Sequence, residues 1–330
     1  MLALLGCVLA AATMAQAEPA TGDDGSAPAP LSLHLVIPCY NEAQRLPEDA
    51  YVAYVRAHPT TRFTFVNDGS TDATLEMLTA LSARAPAQLH VLELPQNGGK
   101  AEAVRAGLQA ASAGEGAAEV VGFWDADLAT PLDAVESFTA TLQRRPQTTM
   151  VFGARVALLG RNINRLRSRH YLGRIFATLA STALSLGIYD TQCGAKIFRN
   201  SPALRRVIAE PFGSRWIFDV ELIARFAALR RHSPGVPEAD PDGCWEDGEC
   251  PEAGPPLANQ IFEYPLMEWT DIAGSKINLS DKLSSLWELG EIWYRYRYCH
   301  EFSDTTRWDG TPLAEEGSSS GATDTNNEEL

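Results

Sequence analysis

Two carboxylates one residue apart, Asp125 and Asp127, close an apolar run containing Val120, Val121, Phe123 and Trp124. Open α/β sheets bind ligands at the C-terminal ends of their strands, and two acids placed there can hold a divalent cation against phosphate oxygens. Alone, the pair reads as a strand leaving its sheet through a turn, where Asp is common. Its meaning depends on what else reaches the same place.

Three further apolar runs end in the same manner. Leu33 to Pro38 leads into Tyr40 and Glu42, Phe63 to Asn67 into Asp68-Gly69-Ser70-Thr71-Asp72, and Leu89 to Leu94 into Asn97-Gly98-Gly99-Lys100. Each is a short apolar segment bounded by Gly, Pro or polar residues, which predicts a buried strand. Helices are predicted over Pro47 to Ala57, Ala73 to Ala83 and Ala101 to Ala111, with a fourth starting at Pro131, where Pro suits a first turn. Ser70 or Asp72 can cap the second of them. This alternation predicts an α/β, Rossmann-like fold with a mostly parallel central sheet flanked by helices. The strand ends then share one edge, and four polar clusters converging there exceed what independent helix caps require.

The second half supplies cations. A fifth strand, Met150 to Ala154, ends at Arg155, and Arg161, Arg165, Arg167 and Arg169 precede an apolar stretch from Tyr171 to Leu186. That stretch reads as a core helix, and the arginines before it suit anionic headgroups or a phosphate. Asp190 to Lys196 is a polar turn into a strand at Ile197 and Phe198, and Arg215 to Leu222 opens a helix carrying Asp219 and Glu221. After a strand from Ile261 to Pro265 and a polar turn from Trp269 to Lys276, residues Ser280 to Tyr298 form an amphipathic helix. Its Trp287, Trp293, Tyr294, Tyr296, Arg295 and Arg297 suit a membrane interface or ordinary packing.

The 330 residues carry a formal charge of −15, but the excess is local. Three acids lie in residues 1–30, seven in 233–258 and five in 310–330, with no Lys or Arg in any of these. Setting those 15 aside leaves 27 acids against 27 bases, so nothing in the charge points to nucleic acid. Residues 233–258 read as an acidic disordered insertion and 301–330 as a disordered tail. Met1 to Ala17 is uncharged and ends Ala15-Gln16-Ala17, the form of a secretory signal or of a short anchor. Six cysteines do not make a disulfide framework in so long a chain. Cys39 and Cys193 are expected to be buried thiols, while Cys244 and Cys250 could bridge within the acidic insertion.

Taken in order, Val36-Ile37-Pro38-Cys39-Tyr40-Asn41-Glu42, Asn67-Asp68-Gly69-Ser70-Thr71-Asp72, Asn97-Gly98-Gly99-Lys100 and Asp125-Ala126-Asp127-Leu128-Ala129-Thr130-Pro131 resemble the inverting, metal-dependent nucleotide-sugar transferases of GT-A fold. Asp190-Thr191-Gln192-Cys193-Gly194, Arg215-Trp216 with Phe218 to Glu221, and Trp269-Thr270 with Gly274-Ser275-Lys276 look like the dolichyl-phosphate β-glucosyltransferase branch. The likeness covers residues 33–232 and 259–298, taken as one catalytic domain spanning 31–232 and 259–300 after the leader-like segment 1–30. Three departures are visible: the acidic insertion, Gly153-Ala154 before Arg155 where Gly-Ser is common, and an N-terminal segment that looks more cleavable than the membrane anchor the resemblance implies.

The resemblance implies transfer of glucose from UDP-glucose to dolichyl phosphate, for N-glycan precursor assembly. Other sugars on a polyprenyl phosphate, or an inactive nucleotide-sugar-binding protein, are the competing readings. By resemblance Pro38, Tyr40 and Glu42 flank the nucleotide, Asp68 accepts a hydrogen bond from the uracil N–H, and Lys100 lies near the base or ribose. Asp125 and Asp127 would hold Mg²⁺ or Mn²⁺ on the UDP phosphates. The acceptor phosphate is already ionised, so cations rather than a base are needed: Arg155, Arg169 and Lys196, with Lys276 as a further candidate. Asp219 would serve as the base for a hydroxyl acceptor. The family places such an enzyme on the endoplasmic reticulum membrane with its catalytic domain facing the cytosol.

Overall fold

The structure is a computed structural model that describes residues 29–114, 116–165, 167–231, 255–271 and 279–298. The leader-like segment, most of the acidic insertion with Cys244 and Cys250, Lys276 and the acidic tail lie outside the described residues.

The first half alternates as the apolar runs predict. Strand β1 (Leu33–Cys39) is followed by α1 (Glu48–Ala57), β2 (Thr61–Asp68), α2 (Thr74–Ala83), β3 (Leu89–Leu94), α3 (Lys100–Ser112), β4 (Val120–Trp124) and α4 (Ala134–Arg144). Where a helix start is expected at Pro131, residues 131–133 instead make a turn. Ala134 N–H donates to the Pro131 carbonyl and Val135 N–H to that of Leu132 before the regular helix begins.

The second half runs β5 (Met150–Ala154), β6 (Asn162–Asn164), α5 (Arg167–Leu184), β7 (Ala195–Arg199), α6 (Pro202–Val207), α7 (Phe218–Arg231), α8 (Leu257–Gln260), β8 (Ile261–Pro265), β9 (Glu268–Thr270) and α9 (Leu279–Tyr298). Seven strands form one sheet in the order β3-β2-β1-β4-β7-β5-β8. Strands β1 to β4 are mutually parallel, with Cys39 beside Asn67 and Asp68 beside Leu94, so their C-terminal ends meet at one edge. Strand β7 is antiparallel to both β4 and β5, between which it lies. A second, two-stranded ribbon pairs β6 with β9.

Strand alternation assigns the two faces. Leu33, Leu35 and Ile37 point into a core shared with Tyr51 and Val55 of α1, Leu78 of α2 and Phe138 of α4. Val36 and Val66 point the other way, towards α3, α6 and α7. Gly107 lets α3 approach closely, since a Cβ there would lie 2.2 Å from a methyl of Val36. A third apolar cluster joins Ala180 of α5, Val220 and Ala224 of α7, and Leu289, Ile292 and Tyr296 of α9.

Candidate active site

The turn after β4 is fixed from both sides by the core. Trp124, fully buried, donates its indole N–H to the Thr130 carbonyl at 2.7 Å, and the Tyr51 hydroxyl donates to the Ala126 carbonyl at 3.1 Å. Asp125 N–H donates to the Gly194 carbonyl at 3.0 Å, tying the turn to the start of β7. Asp127 accepts the Ala129 N–H at 3.1 Å, and Leu128 between them adopts a left-handed φ of 51°. Burial, reinforced by the nearby Asp125 charge, raises the Asp127 carboxyl above the ordinary range. A carboxylate pair under that strain favours a cation between its members.

The adjoining strand ends are stitched to one another. Asn41, at a left-handed φ of 54°, receives the Thr71 N–H on its side-chain oxygen at 2.9 Å and donates its own N–H to the Ser70 hydroxyl. Asp72 accepts the Thr74 N–H at 3.0 Å from two residues upstream, but Ala73 stands at the N-cap of α2, so neither Ser70 nor Asp72 takes the capping position expected of it. Glu42 is buried and faces Arg45, whose Nε lies 3.0 Å from it. Both oxygens of Asp68 are occupied by the next loop, accepting Gly98 N–H at 2.7 Å and Gly99 N–H at 2.9 Å. Pro38 and Tyr40 lie half-buried at the end of β1.

Lys100, the first residue of α3, puts its ammonium 2.5 Å from Asp125 Oδ1. Burial opposes that charge, but the Asp125 and Asp219 carboxylates outweigh it and hold the ammonium above its usual range. Lys100 therefore sits at the acid pair. Gly194 explains how Asp125 fits, because a Cβ there would fall on its carboxylate.

Arg155 grips Asp190 through two parallel bonds, Nε at 2.6 Å and Nη2 at 2.7 Å, with Trp269 at 5.4 Å from the guanidinium carbon. Burial would push Asp190 up, yet Arg155 holds it at about 2. Glu263 fixes the same turn by accepting the Tyr189 and Asp190 N–H groups, both at 2.7 Å. Arg169 falls in the first turn of α5, and its side chain lies outside the described residues.

Lys196 requires a correction. Expected to meet the acceptor phosphate, it is 0 % exposed, with its ammonium 2.5 Å from Asp219 Oδ1 and 2.5 Å from the Cys193 carbonyl. The rings of Phe123 and Phe152 face it at 5.2 and 5.4 Å. A cation so enclosed is a buried counterion that positions Asp219 at the head of α7. Cys39 and Cys193 are buried thiols, as expected.

Arg45 and Arg215 are residues of this edge to which the sequence assigns no role. Arg45 follows Glu42 by three positions and meets it across the turn before α1, where Arg45 N–H also donates to the Glu42 carbonyl at 2.9 Å. Arg215 arrives from 118 residues away to donate to the Asn97 side-chain oxygen, and no local pattern announces that. Among the described residues no group of three or more His, Cys, Asp or Glu side chains could hold a metal ion. Two carboxylates are nevertheless a donor set that Mg²⁺ or Mn²⁺ accepts, since such ions keep several non-protein ligands.

The glycosyl transferase family 2 profile matches residues 34–205. A dolichyl-phosphate beta-glucosyltransferase of Trichomonas vaginalis is 31 % identical over 274 residues, 79 % of this chain and 71 % of that protein. The Homo sapiens dolichyl-phosphate beta-glucosyltransferase is 33 % identical over 263 residues, 74 % of this chain and 69 % of that protein. Among solved structures, Mycobacterium tuberculosis glucosyl-3-phosphoglycerate synthase, in complex with Mn²⁺, UDP-glucose and phosphoglyceric acid, superposes with a TM-score of 0.52 at 15 % identity, covering 81 % of this chain and 79 % of that one. That likeness is one of fold, and it agrees with the mostly parallel sheet and its polar edge. With the motifs in order along that edge and relatives matched over most of their length, the chain belongs to glycosyl transferase family 2, in its dolichyl-phosphate beta-glucosyltransferase branch.

Proposed function

We propose that this chain transfers glucose from UDP-glucose to dolichyl phosphate with inversion, giving dolichyl β-glucosyl phosphate. The observation that carries the reading is the convergence of Asp68, Lys100, Asp125 and Asp127 on one sheet edge, with Lys100 bonded to Asp125 across 25 residues. Family membership supports both substrates.

Asp125 and Asp127 would hold Mg²⁺ or Mn²⁺, which when bound stabilises the charge gathering on the departing diphosphate. The protein's own part is placement. Trp124 and Tyr51 hold the acid turn rigid, Lys100 adds positive charge beside it, and Asp68 fixes the Gly98-Gly99 turn against which the nucleotide would lie. The acceptor oxygen is already anionic, so no group need remove a proton from it. Asp219, bound to Lys196 inside the sheet, is consistent with a reaction that needs no base. Arg155, held by Asp190, and Arg169 on α5 would meet the acceptor phosphate.

Among the described residues no helix is long and apolar enough to cross a membrane. One face of α5 nevertheless exposes Tyr171, Leu172, Ile175 and Leu179, and α9 exposes Leu286, Trp287, Trp293 and Tyr294. Such apolar and aromatic surface supports association with a bilayer, where a dolichyl chain resides. By this reading the enzyme works on the endoplasmic reticulum membrane with its catalytic domain facing the cytosol.

The test offers radiolabelled UDP-glucose, GDP-mannose and UDP-N-acetylglucosamine separately with dolichyl phosphate. Label should enter lipid from UDP-glucose, depend on the divalent ion and vanish in Asp127→Ala. Label from GDP-mannose alone would make the chain a mannosyltransferase and overturn the donor assignment.

A further inference from the structure

We propose that Arg215 is a donor-binding residue whose guanidinium meets the diphosphate of the nucleotide sugar. The inference rests on the donor reading above and adds to it a cation from the opposite half of the chain.

A turn of two glycines at a sheet edge can cradle phosphate with its own N–H groups. Here that route is closed, because Asp68 takes the N–H of Gly98 and of Gly99. Beside the divalent ion that Asp125 and Asp127 would hold, side-chain cations are then what the protein itself can offer the diphosphate charge. Lys100 is one, already bonded to Asp125. The other is Arg215. Its Nε and Nη2 stand 3.0 and 3.3 Å from the point a Cβ on Gly99 would occupy, and Nη2 donates to Asn97 at 3.1 Å.

Arg215 differs from the other arginines around it. Arg155 pairs with Asp190, Arg225 with Glu221, and Arg105 with Glu102, which stands against Gly98. Among the described residues no carboxylate lies within ion-pair distance of Arg215, and its partner Asn97 is neutral, so its charge is not cancelled. The side chain is also exposed at the turn. A planar guanidinium with several N–H groups suits the oxygens of a diphosphate.

The loop that presents it is built to stay in place. Glu221, 0 % exposed, accepts Gly213 N–H at 3.1 Å and Ser214 N–H at 3.0 Å, and is itself held by Arg225 and the Tyr296 hydroxyl, both at 2.8 Å. The Ser214 hydroxyl accepts Ile217 N–H at 2.8 Å and donates to Glu288 of α9. Arg215 therefore follows a residue anchored to both α7 and α9, and reaches the nucleotide edge from a rigid base.

The experiment titrates full-length wild type, Arg215→Ala and Arg215→Lys with UDP and with uridine, using ligand-observed NMR, alongside steady-state kinetics. Loss of a charge-assisted contact to phosphate should weaken UDP binding about tenfold or more in Arg215→Ala. Uridine binding and the KM for dolichyl phosphate should stay within about twofold of wild type, and Arg215→Lys should recover part of the loss. Unchanged UDP binding in Arg215→Ala, or an equal loss for uridine, would overturn the proposal while leaving the donor reading intact. Wild type that fails to bind UDP would overturn both.

Discussion

Gly194 and Asp125 show how closely the acid pair is fitted. A methyl group at position 194 would occupy the space of the Asp125 carboxylate, whose atoms lie within 2.4 Å of that point. Gly194→Ala must therefore push Asp125 aside while leaving the buried strands on either side in register. The expected outcome is a loss of turnover of about 10²-fold or more, with only a small change in melting temperature. Assay and calorimetry on one preparation check it. Asp190 makes a different prediction. Its folded value of about 2 lies below that of an unfolded aspartate, about 3.9. The Arg155 pair thus stabilises the fold fully above about pH 4 and loses that contribution as the pH falls towards about 2. Asp190→Asn should cost about 3 kcal/mol at neutral pH, as breaking a buried pair does. The gap from wild type should narrow across that acid window in urea unfolding. The acids, glycines and arginines of these pairs are all visible in the sequence, but their partners are not. Asp125 finds Lys100, Arg155 finds Asp190 and Lys196 finds Asp219 only through the sheet. Lys196 misled for this reason: a lysine after a polar turn gives no sign of how deeply it lies.

Strands β1 to β4 were legible because each is an apolar run that stops at Gly, Pro or a carboxylate, a signal carried entirely by neighbouring residues. Direction is not carried that way. The apolar residues of β7 read the same whether the strand runs with or against its neighbours, and its antiparallel place between β4 and β5 follows from the chain's return after α5. The β6–β9 ribbon was hidden too, since three-residue strands show no periodicity. Helix α3 carries the prediction at this scale. A Cβ on Gly107 would stand 2.2 Å from Val36 and 2.9 Å from Val66, both fully buried on the sheet. Gly107→Ala should lift α3 from β1 and β2 and cost about 1–3 kcal/mol of stability, a typical cost of overpacking. Denaturant titration measures it. Because α3 begins at Lys100, the same change should also weaken donor binding.

Across the catalytic domain, the parallel half of the sheet provides the acid pair and the Gly98-Gly99 turn, and the later elements bring Arg155, Arg215 and the helices α5, α7 and α9. The sequence leaves a membrane interface and ordinary packing both open for the aromatics of α9, and the stretch holding Tyr171 reads as a core helix; Trp287 and Tyr171 are 74 % and 68 % exposed. If that face meets the bilayer, Trp287→Glu should raise the KM for dolichyl phosphate embedded in vesicles several-fold. Turnover of detergent-dispersed acceptor and binding of UDP should not change. An equal effect in both acceptor forms would point to a structural role for Trp287 instead. The central claim, glucosyl transfer with inversion to an already ionised phosphate, is tested most directly by the product. Full-length protein incubated with UDP-glucose, dolichyl phosphate and Mn²⁺ should yield a lipid whose anomeric carbon is β by NMR. An α-linked product, or none while UDP-glucose is hydrolysed, would contradict the account.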